Sequence, residues 1–213
     1  SNELAGILPH CTRLEPLMSN VSVVMVSHHT GSVLYASVAT VLKQKNLAEL
    51  VIVDNANPPD VLARLRQWSL TEPHLKIITG YGNIGFAKAS NIGVKSTTGY
   101  FVVLMNPDCL LPPDALSDLM TAFENQSDAV IAGCEIVNPN GSVNSDSVRF
   151  LLTPNSAIRS FFSLGRKPVV TAANGAACQV PAISGALLCI RRKDLNRLNG
   201  LDEEFFVRGA CMD

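Results

Sequence analysis

Asp108 closes an apolar run, Phe101-Val102-Val103-Leu104-Met105, from which it is separated by Asn106 and Pro107. A buried strand that delivers an acid at its carboxyl end puts that acid where open α/β sheets carry ligand chemistry, because the strand is rigid and the loop beyond it meets solvent. Asp54 stands in the same relation to Leu50-Val51-Ile52-Val53, so two carboxylates are expected along one sheet edge. One such acid can accept hydrogen bonds from a base or sugar, and another can hold a divalent cation against a diphosphate. The competing reading of Asp54 is a turn cap, since Asp and Asn bond the backbone just beyond them. Ser27, at the end of Val21–Val26, is a hydrogen-bonding candidate on the same edge. His28 and His29 follow it, but neighbours on an extended chain point apart and no third ligand lies nearby in sequence, so they read as loop residues rather than a metal pair.

These residues need a scaffold, and the hydrophobic pattern supplies one. Val21–Val26 reads as a buried strand, and Leu34, Val38, Val41 and Leu42 share one helical face. The unit repeats: Leu50–Val53 leads through Asp54-Asn55-Ala56-Asn57 into a helix beginning near Pro58 and Pro59. Leu75–Ile78 precedes Gly80, Gly82 and Gly85 and a helix from Phe86 to Ser96, whose first N–H groups can meet an anion although the glycines lack the GxGxxG spacing. Gly93, within that helix, is the kind of residue that permits close packing. The strand before Asp108 leads through Pro112-Pro113-Asp114 into a helix carrying Leu116, Leu119, Met120 and Phe123. Ala129–Ile136 and Val180–Ile190 read as further strands, Asn138–Gly141 as a turn, and Arg191–Leu198 as a short helix. Alternation of this kind implies an α/β fold with a mostly parallel sheet covered on both faces. Residues 1–20 read as a variable lead-in, 21–213 as one domain, and 145–180 as a long irregular connection.

Composition narrows the partners. Seventeen Lys and Arg against eighteen Asp and Glu leave a net charge of -1, which provides no field to attract nucleic acid. The six cysteines form no CxxC pair and several sit in apolar runs, the setting of reduced, inert thiols. No basic-flanked signal segment is visible, and no apolar run reaches the ~18 residues of a spanning helix. The expected compartment is the cytoplasm. Arg149, Arg159, Arg166 and Lys167 interleave with Phe150, Phe161 and Phe162, which suits either a peripheral membrane contact or an ordinary amphipathic cover.

Taken in order, Val23–Ser27, Val53–Asn57, Gly82–Ala87 with Asn91 and Gly93, Leu104–Asp108, Ser184–Ala186 and Gly200–Phe206 resemble the family 2 glycosyltransferases, most closely their rhamnosyltransferase-like branch. The resemblance implies a GT-A fold, a nucleotide-diphosphate sugar donor such as a UDP- or dTDP-sugar, and a glycan or lipid-linked acceptor. By position it implies that Ser27, Asp54 and Asn83 face the nucleoside with Asn91 close by. Asn106 and Asp108 then stand at the first and last positions of the DxD-like element, with Mg²⁺ or Mn²⁺ on Asp108. Transfer with inversion is implied as well.

The same resemblance exposes departures. Relatives carry a Glu-Asp pair after the paired phenylalanines, its Asp acting as base, and here Ala210 and Cys211 occupy those places. A thiol is a poor proton acceptor for a hydroxyl. Asp213 matches a second acidic position, and Asp202, Glu203 and Glu204 lie nearby, so Glu203 and Asp213 are the candidate catalytic carboxylates. Relatives also continue with helices beyond this point, so the acceptor side is expected to be incomplete. First strands of the family commonly end Tyr-Asn where this one reads Ser-His-His. Two alternatives to an active transferase follow: a donor-binding module impaired in turnover, and a nucleotidyltransferase, the latter disfavoured because no basic triphosphate loop follows the first strand.

Overall fold

The computed structural model describes residues 20–126, 128–138, 140–144, 148–149, 180 and 182–204. Strands β1 (Val21–Ser27), β2 (Leu47–Asp54), β3 (Leu75–Ile78) and β4 (Phe101–Met105) alternate with helices α1 (Val33–Leu42), α2 (Pro59–Ser69) and α3 (Phe86–Lys95). Helix α4 (Ala115–Asn125), short strands β5 (Ile131–Ala132), β6 (Val148–Arg149) and β7 (Ala182–Ile183), strand β8 (Leu187–Arg191) and helix α5 (Arg192–Arg197) follow. The main sheet has the order β3-β2-β1-β4-β8-β5. Its first four strands are mutually parallel, whereas β8 runs antiparallel to both β4 and β5.

Every residue of β1 and β4 is buried, as strands covered on both faces must be. Alternate side chains feed two cores. On one face Val23, Met25, Leu50, Ile52 and Val103 pack with Leu34, Val38, Leu65, Leu116 and Leu119 of α1, α2 and α4. On the other, Val24, Val26, Val51, Val53 and Leu104 pack with Ala89 of α3 and Leu195 of α5. Helix α3 lies unusually close to the sheet because Gly93 presents no side chain there: a Cβ would overlap Val24 Cγ1 and stand 3.0 Å from Val53 Cγ2.

At the amino edge of the sheet, the buried Glu49 accepts hydrogen bonds from Ser22 Oγ at 2.9 Å, from the Thr98 amide at 2.6 Å and from Thr98 Oγ1 at 3.0 Å, and pairs with Lys76. Burial pushes its carboxyl up, but the bonds from Lys76, Thr98 and Ser22 outweigh that and hold it at about 2 against an ordinary 4.5. A carboxylate depressed on folding contributes stability that is whole above pH 4.5 and fades as pH falls toward 2. Denaturant midpoints should therefore show the wild type losing about 2 kcal/mol more than Glu49→Gln between pH 6 and pH 3.

Several sequence expectations change. The expected strand Val180–Ile190 is two strands, with β7 pairing β6 in a separate two-stranded sheet and β8 joining the main sheet. Ser184-Gly185-Ala186 breaks it, the Ala186 amide donating to Ser184 Oγ at 3.3 Å in a local turn. The expected strand Ala129–Ile136 shrinks to Ile131–Ala132, where it meets β8, and an isolated bridge joins Val137 to Val143. The turn at 138–141 is present, with the Gly141 amide donating to Asn138 O at 2.8 Å. The lead-in, most of the 145–180 connection with its basic and aromatic side chains, and the Phe205–Asp213 segment lie outside the described residues.

Candidate functional site

Strand register decides what shares the carboxyl edge. Ser27 pairs with Asp54 across β1 and β2, and Met25 pairs with Met105 across β1 and β4. Asn106 and Asp108, just beyond Met105, thus emerge on the same edge as Ser27 and Asp54. The two carboxylates expected from the sequence do leave the sheet together.

The two sides of this edge are built differently. On the β1–β2 side, Asn57 is the hub: its Nδ2 donates to Ser27 O and to Asp54 Oδ1, both at 2.8 Å, and its Oδ1 accepts from Ser27 Oγ at 3.1 Å and from the His29 amide at 3.0 Å. Asp54 Oδ1 also accepts from the Asn57 amide at 2.9 Å, which is the turn-capping role. Asn55, only 2% exposed, reaches the other way. Its Nδ2 donates to Asn83 Oδ1 at 3.0 Å, and its Oδ1 accepts from the Ile84 amide at 2.9 Å. Asn83 Oδ1 accepts from the Gly85 amide as well, at 3.2 Å, so the glycine loop is stitched to the end of β2. Gly85, with φ of 84°, makes the reversal into α3 that a side chain would resist. His28 Nδ1 sits 2.6 Å from Asn55 O. A carbonyl only accepts, so Nδ1 carries the hydrogen in this contact.

Asn55 and Asn57 brace this edge, although in sequence they stand only as part of the Val53–Asn57 motif with no role of their own. The available signal was two amides flanking Ala56, which adopts the left-handed φ of 72°.

On the β4 side Asp108 is exposed, next to the turn Ser184–Ala186 that leads into β8. The Asn106 amide donates to Ala186 O at 2.8 Å and ties the two segments. Cys109 Sγ lies 3.9 Å from Asp108 Oδ1 and 3.8 Å from Ala186 O. Burial pushes the Cys109 thiol up to about 11, and the Asp108 carboxylate adds to the effect, so the sulfur stays protonated at neutral pH. Asp108 is the exposed carboxylate beside this turn. Among the described residues no cluster of three His, Cys, Asp or Glu side chains could hold a metal alone. A lone exposed carboxylate fits Mg²⁺ or Mn²⁺ only as one ligand of a shell completed by phosphates and water.

Asn91 is bonded to the chain beyond α5. It is 8% exposed, two of its bonds are donated by Nδ2, to Leu201 O and to Glu203 Oε1 at 2.9 Å each, and its Oδ1 accepts from the Leu201 amide at 2.8 Å. These bonds tie α3 to the segment Leu201–Glu203. Glu203 is brought to α3 by this contact, while Asp213 lies outside the described residues. No described helix is long and apolar enough to cross a membrane.

Comparison with known proteins agrees with this architecture. The chain is 24% identical over 167 residues to the O-antigen biosynthesis protein RfbC of Myxococcus xanthus, covering 77% of this chain and 13% of that protein. It is 24% identical over 115 residues to an uncharacterized glycosyltransferase of Haemophilus influenzae, covering 53% of this chain and 35% of that one. The chain thus spans a minor part of the curated relatives it matches. Among solved structures, the mannosyltransferase PcManGT of Pyrobaculum calidifontis, in complex with GDP-Man and Mn²⁺, superposes with a TM-score of 0.58 at 22% identity over 87% of this chain and 48% of that chain. The 1–349 fragment of S. aureus TarS in complex with UDP gives 0.58 at 17% identity, over 88% and 51%. The fold is therefore that of the GT-A glycosyltransferases. The sequence model of Glycosyl transferase family 2 matches residues 22–196, and with the strand order and the edge carboxylates already described, this places the chain in that family.

Proposed function

We propose that this domain, residues 21–213 after a lead-in, transfers a glycosyl group from a nucleotide-diphosphate sugar to a hydroxyl of a glycan or lipid-linked acceptor during polysaccharide assembly. The observation that carries the reading is the convergence of Ser27, Asp54, Asn106 and Asp108 on one edge of a parallel sheet. Relatives bearing O-antigen and glycosyltransferase names, and neighbours holding GDP-Man or UDP, support it.

In this reading Ser27, Asp54 and Asn83 line the nucleoside side, and Asn106 and Asp108 line the diphosphate side. Asp54 is held by Asn57 with one oxygen occupied, which fixes the orientation of the carboxylate and costs no reorganisation when a ribose hydroxyl arrives. Asp108 is the carboxylate that would hold Mg²⁺ or Mn²⁺ on the donor. When bound, the cation supplies stabilisation of the negative charge that develops on the leaving diphosphate oxygen. The acceptor hydroxyl oxygen forms the new bond to the anomeric carbon as the bond from that carbon to the diphosphate breaks, with the electron pair leaving on the nucleoside diphosphate. One such displacement inverts the anomeric centre. The hydroxyl proton goes to a carboxylate of the acceptor side, Glu203 or Asp213. Rhamnose is the proposed sugar, from the branch resemblance, and the proposed setting is the cytoplasm or the cytoplasmic face of a membrane.

A second reading, a donor-binding module impaired in turnover, is favoured by Ala210 and Cys211 at the family's acid pair. One assay separates the two. With UDP-, dTDP- and GDP-sugars, Mn²⁺ and lipid-linked or glycan acceptors, a transferase releases nucleoside diphosphate only when acceptor is present. Tight nucleotide binding with no acceptor-dependent release supports the impaired module, and absence of both contradicts sugar transfer.

A further inference from the structure

Helix α3 runs from the glycine loop toward the segment that follows α5, and Asn91 bonds that segment directly. An asparagine amide offers two hydrogens and one carbonyl. Asn91 places all three on the chain 110 residues and more away: Nδ2 on Leu201 O and Glu203 Oε1, and Oδ1 on the Leu201 amide. We propose that Asn91 is a positioning residue that clamps the acid-bearing segment Asp202–Glu204 to the donor-side helix, so that Glu203 is presented through Asn91. The assignment rests on the sugar-transfer reading above.

The neighbouring residues are shaped around this contact. Helix α5 ends with Asn199 and Gly200 both in left-handed conformations, at φ of 60° and 83°, and the Gly200 amide donating to Leu195 O at 3.1 Å. The reversal sends the chain back along α3. A Cβ at Gly200 would stand 2.5 Å from Asn91 Oδ1, so the chain passes closer to the amide than any side chain there allows. Asn91 in turn sits at a fixed depth, because Gly93 two residues later seats α3 on Val24 and Val53.

The geometry also links the clamp to the donor side. Asn91 lies about 7.5 Å of helix axis from Phe86, where α3 begins. Immediately before Phe86 is the loop that Asn55 and Asn83 stitch to β2. One rigid helix thus carries the glycine loop at its start and the clamp in its middle. Glu203 itself is exposed, and Asn91 is the side-chain partner that orients it.

The test uses the full chain with UDP, dTDP and GDP, each with Mn²⁺, as probes. Asn91→Ala should speed hydrogen exchange of the Leu201 amide at least about tenfold because it deletes the acceptor of that amide, and Asn91→Asp should speed it less, because it keeps an acceptor there while setting its charge against Leu201 O and Glu203. Nucleotide affinity should stay within about twofold, and acceptor-dependent release should fall about tenfold through kcat. Asn91→Asp combined with Glu203→Gln restores a donor and acceptor pair with reversed polarity, and should return much of the exchange protection. Unchanged exchange at Leu201, a large loss of nucleotide affinity in Asn91→Ala, or release at the wild-type rate would each overturn the assignment. The exchange and affinity arms decide the matter without turnover. Failure of the wild-type chain to bind any of the three nucleotides would instead overturn the sugar-transfer reading, and the two failures are told apart by the wild-type titration alone.

Discussion

Asp108→Asn is expected to lower metal-dependent sugar transfer by on the order of 10²–10³-fold in kcat/KM while leaving the fold intact. The side chain is exposed on a turn beyond β4 and meets Cys109 Sγ only at a long 3.9 Å, so its removal leaves no buried group unpaired. What is lost is the negative charge that, in the proposed reading, would hold a cation on the donor diphosphate. An asparagine keeps the shape and loses that charge. Kinetics with and without Mn²⁺ check this: the wild type should respond steeply to the ion and the variant weakly, at unchanged melting temperature. Transfer by the variant at the wild-type rate would remove Asp108 from the chemistry.

Gly93→Val should cost the protein about 3 kcal/mol of stability, measurable by denaturant unfolding. The new Cβ falls onto Val24 Cγ1 and close to Val53 Cγ2, side chains of two central strands packed on both faces and unable to yield. Helix α3 must rise from the sheet. That movement carries Asn91 with it, so the Leu201 amide should exchange faster in Gly93→Val than in a variant equally destabilised on the opposite face, such as Leu116→Ala. Equal exchange in the two would separate helix seating from the clamp.

The sequence announced the sheet because Val-, Ile- and Leu-rich runs of strand length are spaced by helical periods, and both signals are local. Val21–Val26, Leu75–Ile78 and the run before Asp108 became β1, β3 and β4 within a residue or two. The break inside 180–190 was harder to read, because Ser184-Gly185-Ala186 turns within an apolar run and the two halves then find partners in different sheets. Strand direction was hidden as well: nothing in Leu187–Arg191 itself says that it enters antiparallel to β4. The edge positions of Asp54 and Asp108 were legible because each follows closely on a strand-length apolar run. The partners of Asn91 were not legible, since they lie more than a hundred residues downstream and only the folded chain brings them to its amide. Asp54 illustrates a different lesson, for the capping contact and the proposed ligand role use the same side chain.

Electron paramagnetic resonance of Mn²⁺ titrated into the chain with UDP, dTDP or GDP tests the central claim most directly. A cation held between Asp108 and the nucleotide diphosphate should quench the free-ion signal only when protein and nucleotide are both present, with the quenching abolished by Asp108→Asn and kept by Glu203→Gln. Quenching that survives Asp108→Asn, or that never depends on nucleotide, would contradict a cation bridging this carboxylate and the donor.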